Sequence, residues 1–137
     1  MTTSANDQTI LSASSFVGSI GVNTHAGYAW GSYNNLALMV DDLKYLGVTT
    51  LRDSLAASPA AQPVIDGLAN AGFKFDFIVP SNVPQQGSAG LQQYLASVDS
   101  FEAAHPGGIV ALEGLNEVNV QPFSYNEIGR ASCRERV

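Results

Sequence analysis

Short apolar runs alternate along the chain with longer stretches in which apolar residues recur at the helical period. The clearest helical stretch is 35–46, where the period is kept by Leu36, Met39, Val40, Leu43 and Leu46. Asn34 or Asn35 is suited to cap the start of this helix, and Gly47 is suited to follow its end. The pattern therefore predicts one well-bounded helix in the first third of the chain.

Four short runs that are rich in apolar or β-branched residues predict strands, at 19–23, 48–52, 73–79 and 109–112. The last of these has the composition of a buried strand. Two further helices are predicted. One has Pro63 at its first position and ends at Gly72. After a predicted loop at 80–87, the other is capped by Ser88 and carries an apolar stripe on Leu91, Tyr94, Leu95, Val98 and Phe101.

Strands that alternate with helices over short connections predict an α/β protein with a parallel sheet and right-handed crossovers. A doubly wound dinucleotide-binding sheet would need Gly-x-Gly-x-x-Gly between the first strand and helix, but Gly18 and Gly21 lie before or within that strand. The alternation instead favours the N-terminal half of a (β/α)8 TIM barrel, with four strands and three helices. A whole barrel takes about 250 residues.

Composition narrows the possible functions of the 137-residue chain. A hydrophobic fraction of 45% with 13% charged residues is typical of a globular protein, and a net charge of −6 argues against nucleic acid. No apolar run approaches the ~20 residues that span a membrane. His25 and His105 lack a metal-ligand spacing, so neither a metal nor a cofactor is predicted. The oligomeric state stays open.

Residues 127–137 differ abruptly from what precedes them, because they hold three of the six basic residues and the single cysteine, Cys133. Residues 128–137 match the translation of ATC GGA AGA GCG TCG TGT AGG GAA AGA GTG, which resembles a widely used short-read sequencing adapter whose next codon is a stop. We expect a non-native tail, preceded by an N-terminal extension at 1–15 and a partial barrel domain at 16–126. The natural gene is then expected to continue past Asn126. The alternative is an ordinary basic C-terminal tail.

Functional groups of barrel enzymes lie at the carboxyl ends of the strands and in the loops that follow. On this chain those positions hold polar or ionisable residues: His25, Arg52, Ser81, Asn82, Asn116 and Glu117. We expect these side chains to meet at one edge of the sheet.

Three segments resemble the large clan of retaining (β/α)8-barrel glycoside hydrolases, with families 39 and 5 the nearest in pattern. They are Glu-Gly-Leu-Asn-Glu at 113–117, Leu-Arg at 51–52 and Gly-Val-Asn-Thr-His at 21–25. The resemblance covers about residues 16–126. It implies a carbohydrate substrate with a β-linkage, Glu117 as the general acid/base and Asn116 as a hydrogen-bond partner of the sugar 2-hydroxyl. It also implies that Arg52 holds the catalytic carboxylates in place.

Each candidate also has a structural interpretation. Glu117 could be a solvated residue favoured by a helix dipole. Arg52 could form an ordinary ion pair with Asp53 or with Glu113, which shares the parity of Glu117 and can point toward Arg52. His25 could be a satisfied structural group. Tyr28 and Trp30 suit stacking on sugar faces, although Trp30 could fill a gap beneath the loop.

A retaining glycosidase needs a second carboxylate about 5–5.5 Å from the first, and in this clan it comes from strand seven, beyond the chain. The end of the third strand also lacks the histidine of many family 5 members. The 137-residue chain is therefore expected to be inactive alone. A non-catalytic carbohydrate-binding or surface barrel and a barrel enzyme for phosphorylated substrates remain alternatives. The substrate class implies a secreted or cell-surface parent, although no signal peptide is visible.

Overall fold

A computed structural model describes residues 12–28, 31–55 and 58–116. The strands are β1 (Gly21–Asn23), β2 (Thr50–Asp53), β3 (Lys74–Ile78) and β4 (Ile109–Glu113). The α-helices are α1 (Ala13–Gly18), α2 (Leu36–Leu46), α3 (Gln62–Asn70), α4 (Asn82–Gln85) and α5 (Gly87–Ala104), with 3₁₀ turns at Ala26–Tyr28 and Gly31–Asn34. The predicted mixed α/β class is confirmed.

The strands form one parallel sheet in the order β1-β2-β3-β4. In register, Val22 pairs with Leu51, Leu51 with Phe75, and Phe77 with Leu112. Parallel neighbours need a crossover connection, and α2, α3 and the α4–α5 segment provide the three crossovers. A doubly wound sheet changes direction at a switch point. The order of the described strands follows the chain without such a change.

The buried core lies on one face of the sheet. Leu51, Phe75 and Phe77 alternate with less buried strand positions, and each is 0% exposed. They pack against helical residues that include Met39, Leu43, Val64, Ile65, Leu68, Tyr94 and Phe101. By the same alternation the other face carries the polar strand residues Asn23, Thr50, Arg52, Lys74, Asp76 and Glu113. The sheet therefore has an apolar, helix-covered face and a polar face.

The ends of α2 agree with the sequence pattern. Asn35 Oδ1 accepts a hydrogen bond from the backbone N–H of Leu38 at 3.1 Å, and Gly47 adopts a left-handed conformation with φ of 71°. Pro63 lies in the first turn of α3, at its second residue, and Gly72 follows the helix with φ of 97°. Cap and breaker residues thus locate these helices correctly.

Other boundaries differ from the prediction. Ser19 ends α1 and donates its hydroxyl to the Phe16 carbonyl at 2.7 Å, so β1 is shorter than the predicted strand. Ser88 is not a cap, because α5 begins at Gly87 and contains it. The segment predicted as the loop 80–87 contains α4. Helices as short as α1 and α4 cannot show a helical stripe, which explains why they were missed.

β4 is more exposed than its composition predicts. The register places Leu112 beside Phe77 on the helix-covered face, yet Leu112 is 46% exposed and Val110 is 51% exposed. The prediction of a buried strand at 109–112 is therefore wrong for the described residues.

The sequence predicts two segment boundaries, one after residue 15 and one after residue 126. The tail expected at 127–137 and most of the extension expected at 1–15 lie outside the described residues. Within the described part, α1 runs across the expected boundary between residues 15 and 16. The division into segments stays a prediction.

Candidate functional site

A cleft of about 350 Å³ lies where the four strands end. Parallel strands present their carboxyl ends at the same edge of a sheet, so this edge collects residues that are distant along the chain. The described lining is Asn23, Thr24, His25, Tyr28, Arg52, Asp53, Ser54, Ile78, Val79, Pro80, Ser81, Asn82 and Asn116. The cleft thus joins the segments that follow β1, β2, β3 and β4.

Arg52 and Glu113 form an ion pair on the polar face. Arg52 Nε donates to both carboxylate oxygens of Glu113 at 2.9 Å, and Nη2 donates to Oε2 at 2.6 Å. Their hydrogen bonding raises the pKa of Arg52 and lowers the pKa of Glu113. Of the two ion-pair partners considered for Arg52, the structure selects Glu113, because Asp53 points to the opposite face.

The same guanidinium connects three strand ends. Its Nη2 lies 3.4 Å from Asn116 Oδ1, and its Nη1 lies 3.5 Å from Asn23 Oδ1. These are long, weak hydrogen bonds compared with those to Glu113. Arg52 therefore holds Glu113 firmly and has a looser contact with the amide that precedes Glu117.

Asp76 completes the polar cluster, and sequence reasoning missed it. It pairs in register with Arg52, and Glu113 lies on the same face of the adjacent strand β4, two residues beyond Ala111, the register partner of Asp76. Desolvation and then the neighbouring Glu113 raise the pKa of Asp76. The available signal was alternation, because a charged residue between two buried phenylalanines on a strand must face the other way.

Asp53 ties the loop after β1 to the end of β2, and this role was also missed. Its Oδ2 accepts the Thr24 hydroxyl at 2.7 Å and the Ala26 N–H at 2.8 Å, while Oδ1 accepts the Ser54 N–H at 2.7 Å. Asp53 is 5% exposed, so these bonds are shielded from water. They fix the segment that carries His25 and Tyr28.

Aromatic rings form one wall of the cleft. His25 and Tyr28 stack with ring centroids 4.8 Å apart and planes within 5°, and Tyr33 meets both rings edge-on. Tyr28 is 54% exposed. The contact gives His25 a structural role, and it leaves a flat aromatic surface at the cleft.

The structure brings four of the sequence-predicted site residues together in this cleft: His25, Tyr28, Arg52 and Asn116. Ser81 and Asn82, which follow β3, also line it. Trp30 and Glu117 lie outside the described residues, so their placement stays a prediction.

The lining of the cleft is rich in groups that form hydrogen bonds. Amide, hydroxyl and imidazole groups supply hydrogen-bond donors and acceptors, and Arg52 is the single cation among the described lining residues. Because Glu113 engages that cation, it is poorly suited to bind phosphate. Within the described residues, no three His, Cys, Asp or Glu side chains are grouped so as to hold a metal ion.

The chain matches no protein-family model, and comparisons with curated proteins and with solved structures find no match. None of the helices in the described ranges is long and apolar enough to cross a membrane. What the structure defines is a mixed α/β unit with a parallel sheet and a polar cleft at its carboxyl edge.

Proposed function

We propose that this chain is the N-terminal half of a retaining (β/α)8-barrel glycoside hydrolase, with Glu117 as the general acid/base. One observation carries the proposal. Asn116, the neighbour of Glu117 in the chain, lines the same cleft as Arg52 and lies 3.4 Å from its guanidinium. The sequence resemblance requires these two residues to lie at one site.

The topology supports half a barrel. A (β/α)8 barrel has its parallel strands in chain order with all helices outside. The described sheet has the order β1-β2-β3-β4, and its core lies on one face. The exposed Val110 and Leu112 fit a strand whose covering helix would come from a following unit.

In the proposed reaction the Glu117 carboxyl protonates the glycosidic oxygen while a second carboxylate attacks the anomeric carbon and the leaving group departs. Glu117, now ionised, removes a proton from water, which attacks the same carbon and releases the sugar and the second carboxylate. Asn116 would hydrogen-bond the 2-hydroxyl, an interaction that strengthens as positive charge develops. We expect the second carboxylate to come from strand seven.

The test uses the protein encoded by the uninterrupted source gene. Glu117→Gln is expected to lower kcat/KM by about 10²–10⁴-fold on aryl β-glycosides with poor leaving groups, because proton donation is lost. Substrates with activated leaving groups need little protonation, so their cleavage should fall far less. Equal losses on both substrate types, or none, would contradict the assignment of Glu117. Residues 1–137 alone are expected to show no hydrolysis above buffer.

A second candidate is a non-catalytic carbohydrate-binding barrel, favoured by the stacked His25–Tyr28 pair with Tyr28 54% exposed. Tyr28→Ala should weaken binding of β-linked oligosaccharides in an NMR titration. Tyr45→Ala is the matched control, because Tyr45 lies on α2 and is 92% exposed. Binding by a gene product that has no Glu at the end of strand seven would favour this candidate over the enzyme.

A further inference from the structure

One carboxylate oxygen on the polar face has no partner in the described structure. Asp76 Oδ1 is buried and makes no hydrogen bond. In register Asp76 lies across from Arg52, but the hydrogen bonds of that guanidinium go to Glu113, Asn23 and Asn116. A bare, buried oxygen on an ionised carboxylate is costly, and more so beside a second carboxylate.

Few charged groups face Asp76 from its neighbours. β2 contributes Arg52, β4 contributes Glu113, and β3 itself carries Lys74 two residues earlier on the same face. β1 contributes the neutral Asn23. Arg52 is already hydrogen-bonded to Glu113, so it is not available to Asp76. Two ionised carboxylates cannot hydrogen-bond to each other, so Asp76 can donate a hydrogen bond to Glu113 only when Asp76 is protonated.

We propose that Asp76 is a positioning residue of the cleft: when protonated it donates to Glu113, fixing the carboxylate that holds Arg52 beside Asn116. The Glu113 carboxylate then accepts hydrogen bonds from both sides, from Arg52 and from Asp76. The raised pKa of Asp76 and the lowered pKa of Glu113 have the directions that this arrangement requires.

Loss of the proton changes the geometry of the cleft. Two adjacent carboxylates would compete for one guanidinium, which would draw Arg52 toward Asp76 and away from Asn116. The significance of this shift for Asn116 rests on the proposed function. The proton-sharing arrangement itself does not, because it is argued from the register of the sheet and from the buried Asp76 oxygen.

The sign of the stability change follows from the two pKa shifts. The folded protein keeps the Asp76 proton at pH values where the unfolded chain has lost it, so this residue makes stability fall as pH rises through that window. Glu113 acts oppositely: its contribution is present above its unfolded pKa and is lost as pH falls through the folded value.

The experiment is a carboxyl ¹³C NMR titration of the 137-residue chain, with the side-chain amide of Asn116 followed in the same samples. We expect the titration midpoint of Asp76 to lie above the ordinary value of an aspartate side chain, and Glu113→Gln to lower it. The Asn116 amide should shift with the Asp76 midpoint in wild type and lose that transition in Asp76→Asn. Asp42→Asn, the control, should leave both transitions in place.

An Asp76 midpoint at or below the ordinary aspartate value, or an Asn116 amide that does not follow Asp76, would overturn the inference. The wild-type titration decides this even if a variant fails to fold. Failure of the proposed function shows separately, as absent hydrolysis by the product of the uninterrupted source gene, and leaves these transitions unchanged.

Discussion

Replacing Asp53 with alanine is expected to release the loop after β1 from the end of β2. The change leaves the N–H groups of Ala26 and Ser54 without their side-chain acceptor, and leaves the Thr24 hydroxyl with only a long 3.5 Å contact to the Arg52 carbonyl oxygen. Thr24 is 6% exposed and Ala26 is 0% exposed, so water replaces the lost bonds poorly. Each buried donor left unpaired costs about 1–3 kcal/mol, and the Ser54 N–H can be partly rehydrated. We therefore expect the free energy of unfolding to fall by about 3–5 kcal/mol.

Asp53→Asn separates hydrogen bonding from charge. Its amide oxygen can still accept from Thr24 and Ala26, while its NH₂ group faces the Ser54 N–H, so the expected loss is only about 1–2 kcal/mol. Asp42→Asn removes the same charge from the exposed surface of α2 and should change stability by less than about 0.5 kcal/mol.

Urea unfolding followed by circular dichroism measures all three changes on the same scale. The predicted order of destabilisation is Asp53→Ala, then Asp53→Asn, then Asp42→Asn. An Asp53→Ala protein as stable as the Asp42→Asn protein would refute the hydrogen-bonding argument. Loss of the ordered His25–Tyr28 stacking in Asp53→Ala, seen in ring proton shifts, is expected alongside the loss of stability.

Three further predictions concern packing and surface. Tyr94→Phe should leave stability unchanged or higher near neutral pH, since the buried hydroxyl has no partner among described residues. Burial raises the pKa of Tyr94 to about 12, so the free energy of unfolding of the wild type should fall by about 2 kcal/mol between pH 10 and 12. The Tyr94→Phe protein should lack this fall. Thermal melts at both pH values measure this. Gly90→Ala should lower the free energy of unfolding by about 1–3 kcal/mol, because the new methyl group would lie 2.6 Å from the Val83 carbonyl oxygen. In the control Gly18→Ala the methyl group meets nothing within 4 Å, so this substitution should be tolerated. Leu112→Lys should reduce self-association in sedimentation, because Leu112 is 46% exposed on β4, at the edge of the described sheet; unchanged association would contradict a contact through this strand.

The fold was largely predictable because its strands and longer helices carry strong local signals. The helical stripe of α2 and its flanking residues locate the start of that helix to within one residue and its end, before Gly47, to the residue. α1 was not predictable from a stripe, since none of its six residues is buried. The exposure of β4 was also hidden, because an apolar run does not show whether a helix covers it.

The position of the site was predictable from the sequence, but most of the hydrogen bonds between its residues were not. Strand ends indicated Arg52 and Asn116, and parity correctly offered Glu113 as the partner of Arg52. Asp53 and Asp76 act through tertiary contacts with other segments, and neither has a motif around it. Recognising them requires the register between strands, which local sequence does not contain.

The source DNA, read through the junction between Asn126 and Glu127, tests the proposed function most directly. We predict that the frame continues past Asn126 into further strand and helix units and has a Glu at the end of the seventh strand. That carboxylate is the partner that a retaining mechanism needs within about 5–5.5 Å of Glu117. Independent source DNA whose frame runs unbroken through 128–137 to a stop codon would contradict the proposal.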